Sequence, residues 1–93
     1  MKTVMIEDEA VPNFCWDRKL TAGEIREHLH NGTRFEWVQL ASWILREAAY
    51  ADVWSFLAPS EISEHMAELS PFLGRRRDFW EYLVGAWHEL ERL

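Results

Sequence analysis

Ninety-three residues and 11.1 kDa allow one domain, and a chain of this size buries roughly 60–65% of its unfolded surface, enough for a compact core with a thin margin. The composition, 48% hydrophobic and 28% charged with four Gly and three Pro, excludes a disordered or low-complexity chain, and the length excludes a multidomain enzyme, a barrel or a dinucleotide-binding fold. Ten Lys+Arg against sixteen Asp+Glu give a formal charge of -6, a field that repels phosphate backbones and argues against nucleic acid as a partner.

The first twenty residues differ from the rest. Thr3-Val4-Met5-Ile6 suits a short strand or an extended arm, and Glu7, Asp8, Glu9 and Pro12 then oppose regular structure. Phe14, Cys15 and Trp16 form a small apolar knot. Residues 1–20 therefore read as an irregular N-terminal arm: a mobile terminus with one anchor, or a segment that orders on a partner. The apolar run after Lys2 is too short for a signal peptide, and no stretch reaches membrane-spanning length. Cys15 is the only cysteine, which precludes an internal disulfide and suits a reducing compartment, so the expected location is cytoplasmic.

Residues 21–93 read as one helical domain. Thr21-Ala22-Gly23-Glu24 has capping-box spacing and predicts a helix over 22–30, with Asn31-Gly32 as a left-handed stop. The next helix is predicted over 34–50. Trp37, Val38, Ala41, Ile44, Leu45 and Ala48 share its wide apolar face, and Glu36, Gln39, Ser42, Arg46 and Glu47 lie opposite. Trp43 and Tyr50 project from that polar side. A short helical turn follows from Asp52 through Leu57. A helix over 60–68 is expected to start at Ser60, and Ser70-Pro71 reads as a cap followed by proline in the first helical position. The last helix is predicted over 75–92, with Phe79, Trp80, Leu83, Ala86, Trp87 and Leu90 on one stripe. Four to five helices with short connections and no convincing strand pair give an all-α compact bundle.

Candidate chemistry is sparse. Glu27-x-x-His30 and His65-x-x-Glu68 are each half a metal site, and there is no phosphate-binding glycine loop or nucleophile motif. No cofactor and no catalytic residue is expected. Segment 21–50 has the layout of a helix-turn-helix, but helix 34–50 offers an amphoteric face where base reading needs donors with basic flanks. Arg75-Arg76-Arg77 sits at a helix start, where the macrodipole disfavours cations. By helical angle Arg76 turns inward, while Arg75 and Arg77 turn out. Exposed aromatics beside Arg are the residue types enriched at binding hot spots. The expected partner-binding residues are therefore Trp43, Arg46, Tyr50, Arg75 and Arg77, and the expected partner is another protein. The thin core margin also leaves room for a homodimer, since pairing would bury extra aromatic surface.

Residues 34–92 carry Leu40-Ala41-Ser42-Trp43-Ile44-Leu45-Arg46-Glu47-Ala48, then Asp52-Val53-Trp54-Ser55-Phe56-Leu57, then Leu73-Gly74-Arg75-Arg76-Arg77-Asp78-Phe79-Trp80-Glu81-Tyr82-Leu83. This pattern resembles a group of small uncharacterised all-helical bacterial proteins encoded beside nucleotidyltransferase-like toxins. The resemblance implies an antitoxin-like or accessory partner of a larger bacterial protein and assigns no catalytic residues. Ala58 before Pro59 departs from the Ser or Thr expected there as a cap.

Overall fold

Thr21 and Thr33 each start a helix in the same way. Each hydroxyl accepts from the amide three residues on, at Glu24 and Glu36, and each Glu side chain reaches back to the threonine amide at 2.9 Å. These two capping boxes define α1 (Ala22–Asn31) and α2 (Arg34–Glu47) in the computed structural model, which describes residues 6–12 and 20–90. The described chain is all-α and contains no strand. After α2 come α3 (Tyr50–Val53), α4 (Pro59–Glu64) and α5 (Met66–Leu69). Two 3₁₀ turns, Ser70–Phe72 and Gly74–Arg76, lead into α6 (Arg77–Glu89). The proposed Thr3–Ile6 strand and the Phe14–Trp16 knot fall largely or wholly outside the described residues.

Several boundaries depart from expectation. Gly32 is extended, at φ -75° and ψ 167°, and makes no left-handed stop. It is needed for another reason: its N–H bonds the His28 carbonyl, and a Cβ there would lie 2.6 Å from that oxygen. The left-handed glycine is Gly74, at φ 55°, which turns the chain between the two 3₁₀ turns. The fourth helix starts at Pro59 rather than Ser60. Proline occupies the first turn, and Glu61 accepts from the Ala58 amide at 2.9 Å, which supplies half a capping box without a hydroxyl. His65 then leaves helical geometry and splits the expected 60–68 helix in two. Ser70 does not cap: it is buried within a 3₁₀ turn, and its hydroxyl donates to Glu81 on α6.

α2 is the centre of the molecule. It packs against α1, α3, α5 and both 3₁₀ turns, and Ala41 through Leu45 are buried around its full circumference. Ile25, Val53, Leu57, Ile62, Leu69, Leu73 and Trp80 complete the core. The last turn of α2 is closed by side chains from the C-terminal part of the chain. Trp80 Nε1 donates to the Leu45 carbonyl at 3.0 Å, and the Arg76 guanidinium donates to the Ala48 carbonyl. These are carbonyls that a helix end leaves without intrahelical donors.

The described part of the arm, residues 6–12, is tied to the start of α1. The Ala22 and Gly23 amides donate to the Ala10 and Asp8 carbonyls at 2.8 Å each. Arg26 donates to the Ile6 carbonyl, the Asp8 carboxylate and the Ser55 carbonyl, and lies over the Phe56 ring. The arm thus covers the exposed amides at the start of α1.

Candidate functional site

The five expected contact residues separate into two regions with different fates. Trp43 is 5% exposed and belongs to the core, which corrects its assignment to a solvent face. A helix with one solvent side has a polar stripe, but α2 packs against α1, α3, α5 and both 3₁₀ turns, and Ala41 through Leu45 are all buried, so a residue opposite the main apolar face is buried as well. Arg46 is half-exposed and already engaged. Its Nε donates to Glu47 Oε2 and its Nη1 to the Phe72 carbonyl, each at 3.0 Å, tying α2 to the first 3₁₀ turn.

Trp43 and Arg46 border a groove of about 400 Å³ between α2 and that turn, with Phe35, Gln39, Ser42 and Phe72 among its walls. Phe35 is 71% exposed at the start of α2, and Phe72 is 42% exposed across the groove. A second hollow of about 360 Å³ continues between the same two rings, over Val38 and the Arg34–Glu68 pair. The ring edges and an apolar floor thus form one continuous furrow. Its rim charges are already engaged. Arg34 donates to both Glu68 oxygens, and Glu36 is held by the Thr33 cap, which together with that cap's hydroxyl keeps its carboxyl below the usual range. The hydrogen bond from Arg34, then that with His65, lowers the Glu68 carboxyl to about 2. Below them the Ser42 hydroxyl is buried and has no hydrogen-bond partner among the described residues.

Tyr50, Arg75 and Arg77 lie apart from this furrow, around α6. Tyr50 is half-exposed and meets Trp54 edge-on at 5.4 Å, Phe79 edge-on at 6.0 Å and Trp80 nearly parallel at 6.0 Å. Arg77 donates to Glu81 at 3.1 Å, one turn along the helix. The Ser70 hydroxyl, followed by Arg77, holds the Glu81 carboxyl below its usual range. Arg76 points inward to Ala48, as its angle implied. Arg75 is exposed and makes no hydrogen bond or ion pair, the one arginine among the described residues in that state.

Periodicity alone misplaced two members of the α6 stripe. Phe79 is 46% exposed and Leu90 59%, while Val84, absent from the expected stripe, is buried beside Trp80. Tyr82, 75% exposed, and Phe35 were not singled out at all. The available signal for Tyr82 was its position three residues after Phe79, on the side of the helix away from Trp80 and Val84. For Phe35 it was its place in the first turn of α2, before the helix enters the core.

The half-sites for metal have structural partners or stand alone. His65 bonds Glu68 at 3.0 Å and packs its ring 4.9 Å from Trp37, and His88 Nε2 shares a 2.7 Å hydrogen bond with Ser63. Among the described residues no three His, Cys, Asp or Glu side chains gather as a metal would require, and no helix is long and apolar enough to cross a membrane. In comparisons with known proteins, the chain matches no family model, no curated protein and no solved structure.

Proposed function

We propose that this chain is a protein–protein interaction module that acts by binding rather than catalysis, and that the furrow between Phe35 and Phe72 receives an apolar side chain of a larger protein. One observation carries the reading: a 71%-exposed phenylalanine faces a second exposed phenylalanine across an apolar hollow. Leaving such a ring in water forgoes about 1.5–3 kcal/mol of burial free energy, in a molecule that buries Trp80 completely. The rim carboxylates and guanidinia are satisfied within the chain, so the furrow suits an apolar or aromatic anchor better than a phosphate or a charged peptide. The resemblance of residues 34–92 to toxin-associated helical proteins makes an antitoxin-like or accessory role the first form of this reading to examine.

The test is a nuclease-treated pull-down from the host with the full chain and with Phe35→Glu, followed by calorimetry with the purified partner. Phe35 lies in the first turn of α2, where an added carboxylate suits the helix dipole, so the variant should fold. The expected result is one stoichiometric protein whose direct binding weakens at least about tenfold in the variant, the scale of one lost hot-spot ring. Equal binding by both forms overturns the assignment of the furrow. Retention that vanishes with nuclease and falls steeply with salt would establish the helix-turn-helix alternative instead.

A further inference from the structure

Gly85 lies in the interior of α6 on its exposed side, with nothing within 4 Å of where a Cβ would stand. Glycine weakens a helix interior, and no contact inside the described chain requires it here. Its neighbours on the same side supply a reason. Phe79, Tyr82, Gly85 and Glu89 of α6, with Arg75 in the 3₁₀ turn that runs into it, are all exposed and are spaced four, three, three and four residues apart. That order reads the same from both ends with Tyr82 at the middle.

We propose that a second copy of this chain packs on the outer face of α6, antiparallel, with the two-fold axis beside Tyr82. In an antiparallel pair a residue a given number of places before Tyr82 faces the residue the same number after it on the other copy. Phe79 then seats over Gly85 of the second copy, a ring over a position without a side chain, which lets the helix axes approach. Tyr82 meets Tyr82 of the second copy at the axis. Arg75, in the 3₁₀ turn that runs into α6, comes opposite Glu89 of the second copy, each about 10 Å along the axis from the centre.

Charge complementarity favours this arrangement. Arg75 is the one arginine among the described residues without a partner, and Glu89 likewise has no hydrogen bond or ion pair. The pairing joins them twice, once on each side of the axis, as an isologous interface must. A parallel pair would instead set Arg75 against Arg75 and leave Gly85 facing Gly85. An unrelated partner would have no need for a palindromic spacing.

The test is sedimentation velocity on the full chain over a range of concentrations, with three sets of variants. The wild type should move from 11.1 kDa toward twice that mass as concentration rises. Gly85→Gln should weaken association at least about tenfold by blocking Phe79, while its helix content holds or rises, because glutamine favours a helix over glycine. Arg75→Glu should also weaken association about tenfold, and adding Glu89→Arg should restore it, as a coupled pair requires. A chain that stays monomeric overturns the proposal. So does a dimer indifferent to Gly85→Gln, or a charge swap that restores nothing. Phe35→Glu lies outside this face and should leave the dimer intact, so failure here and failure of the furrow reading are seen in different variants.

Discussion

Replacing Trp80 by Phe tests how the two main parts of the core are joined. Trp80 is completely buried and its Nε1 donates to the Leu45 carbonyl in the last turn of α2 at 3.0 Å. Phenylalanine seats a single ring where the pyrrole ring lay, and removes the outer atoms of the indole together with its N–H proton. The lost apolar atoms and the gap they leave cost about 1–2 kcal/mol. The Leu45 carbonyl, buried without its donor, adds about 1–3 kcal/mol. The sum is about 3 kcal/mol, a large share of the roughly 5–15 kcal/mol that holds a domain folded. For a domain of this size it corresponds to a fall in Tm of roughly 10–25 °C. Trp87→Phe is the control: Trp87 is only partly buried, and its indole N–H has no hydrogen bond, so it should cost about 1 kcal/mol. Urea unfolding followed by far-UV circular dichroism suits the comparison, since six tryptophans confound fluorescence. Equal losses in the two variants would refute the argument, because the Leu45 carbonyl would then need no indole.

Three further outcomes are expected. Thr33→Ala removes the hydroxyl half of a capping box and should cost about 1 kcal/mol, read as a lower urea midpoint, with no change in the oligomer; an unchanged midpoint would mean that α2 is held by its packing alone. Gly74→Ala places a Cβ on a residue at φ 55° and should cost about 1 kcal/mol of backbone strain, since the nearest atom beyond its chain neighbours, Arg46 Cδ at 3.7 Å, leaves room for it. Acid should destabilise the fold through Glu68, whose carboxyl is lowered to about 2, first by the Arg34 hydrogen bond and then by His65. A carboxyl depressed in the folded state contributes stability above its unfolded value and loses it as pH falls, so the thermal midpoint should drop between about pH 4.3 and 2. Glu24, Glu36 and Glu81 shift in the same direction and add to the slope. Glu68→Gln should flatten part of that profile; a profile identical to wild type would mean the Arg34–Glu68–His65 cluster does not contribute.

Local signals explain which parts of the fold were legible in the chain. Thr21 and Glu24 marked the start of α1 because a capping box lies within four residues and needs no distant partner. The same box at Thr33 and Glu36 was equally present. The inward turn of Arg76 followed from helical angle, since it depended only on the position of the Trp80 side of α6. The start at Pro59 was obscured because a Glu side chain, not a hydroxyl, reaches the Ala58 amide. Ser70 resembled a cap, yet its hydroxyl is taken by Glu81 eleven residues away, a contact that exists only once α6 has docked.

The amino-acid sequence by itself determined an all-α domain, an acidic surface, the capped starts of α1 and α2, and the apolar residues that fill the core. Tertiary structure alone decided how far the buried face of each helix extends. Periodicity orders residues around a helix axis but says nothing of how many neighbours surround it. α2 packs against α1, α3, α5 and both 3₁₀ turns, so Trp43 is buried and Phe35, at its mouth, is left out. α6 is covered on one side only, with Trp80 and Val84 turned inward, and that rotation leaves Phe79, Tyr82 and Gly85 on a face the described chain does not cover. The free energy of each placement comes from contacts between segments far apart in the chain, which local pattern does not encode.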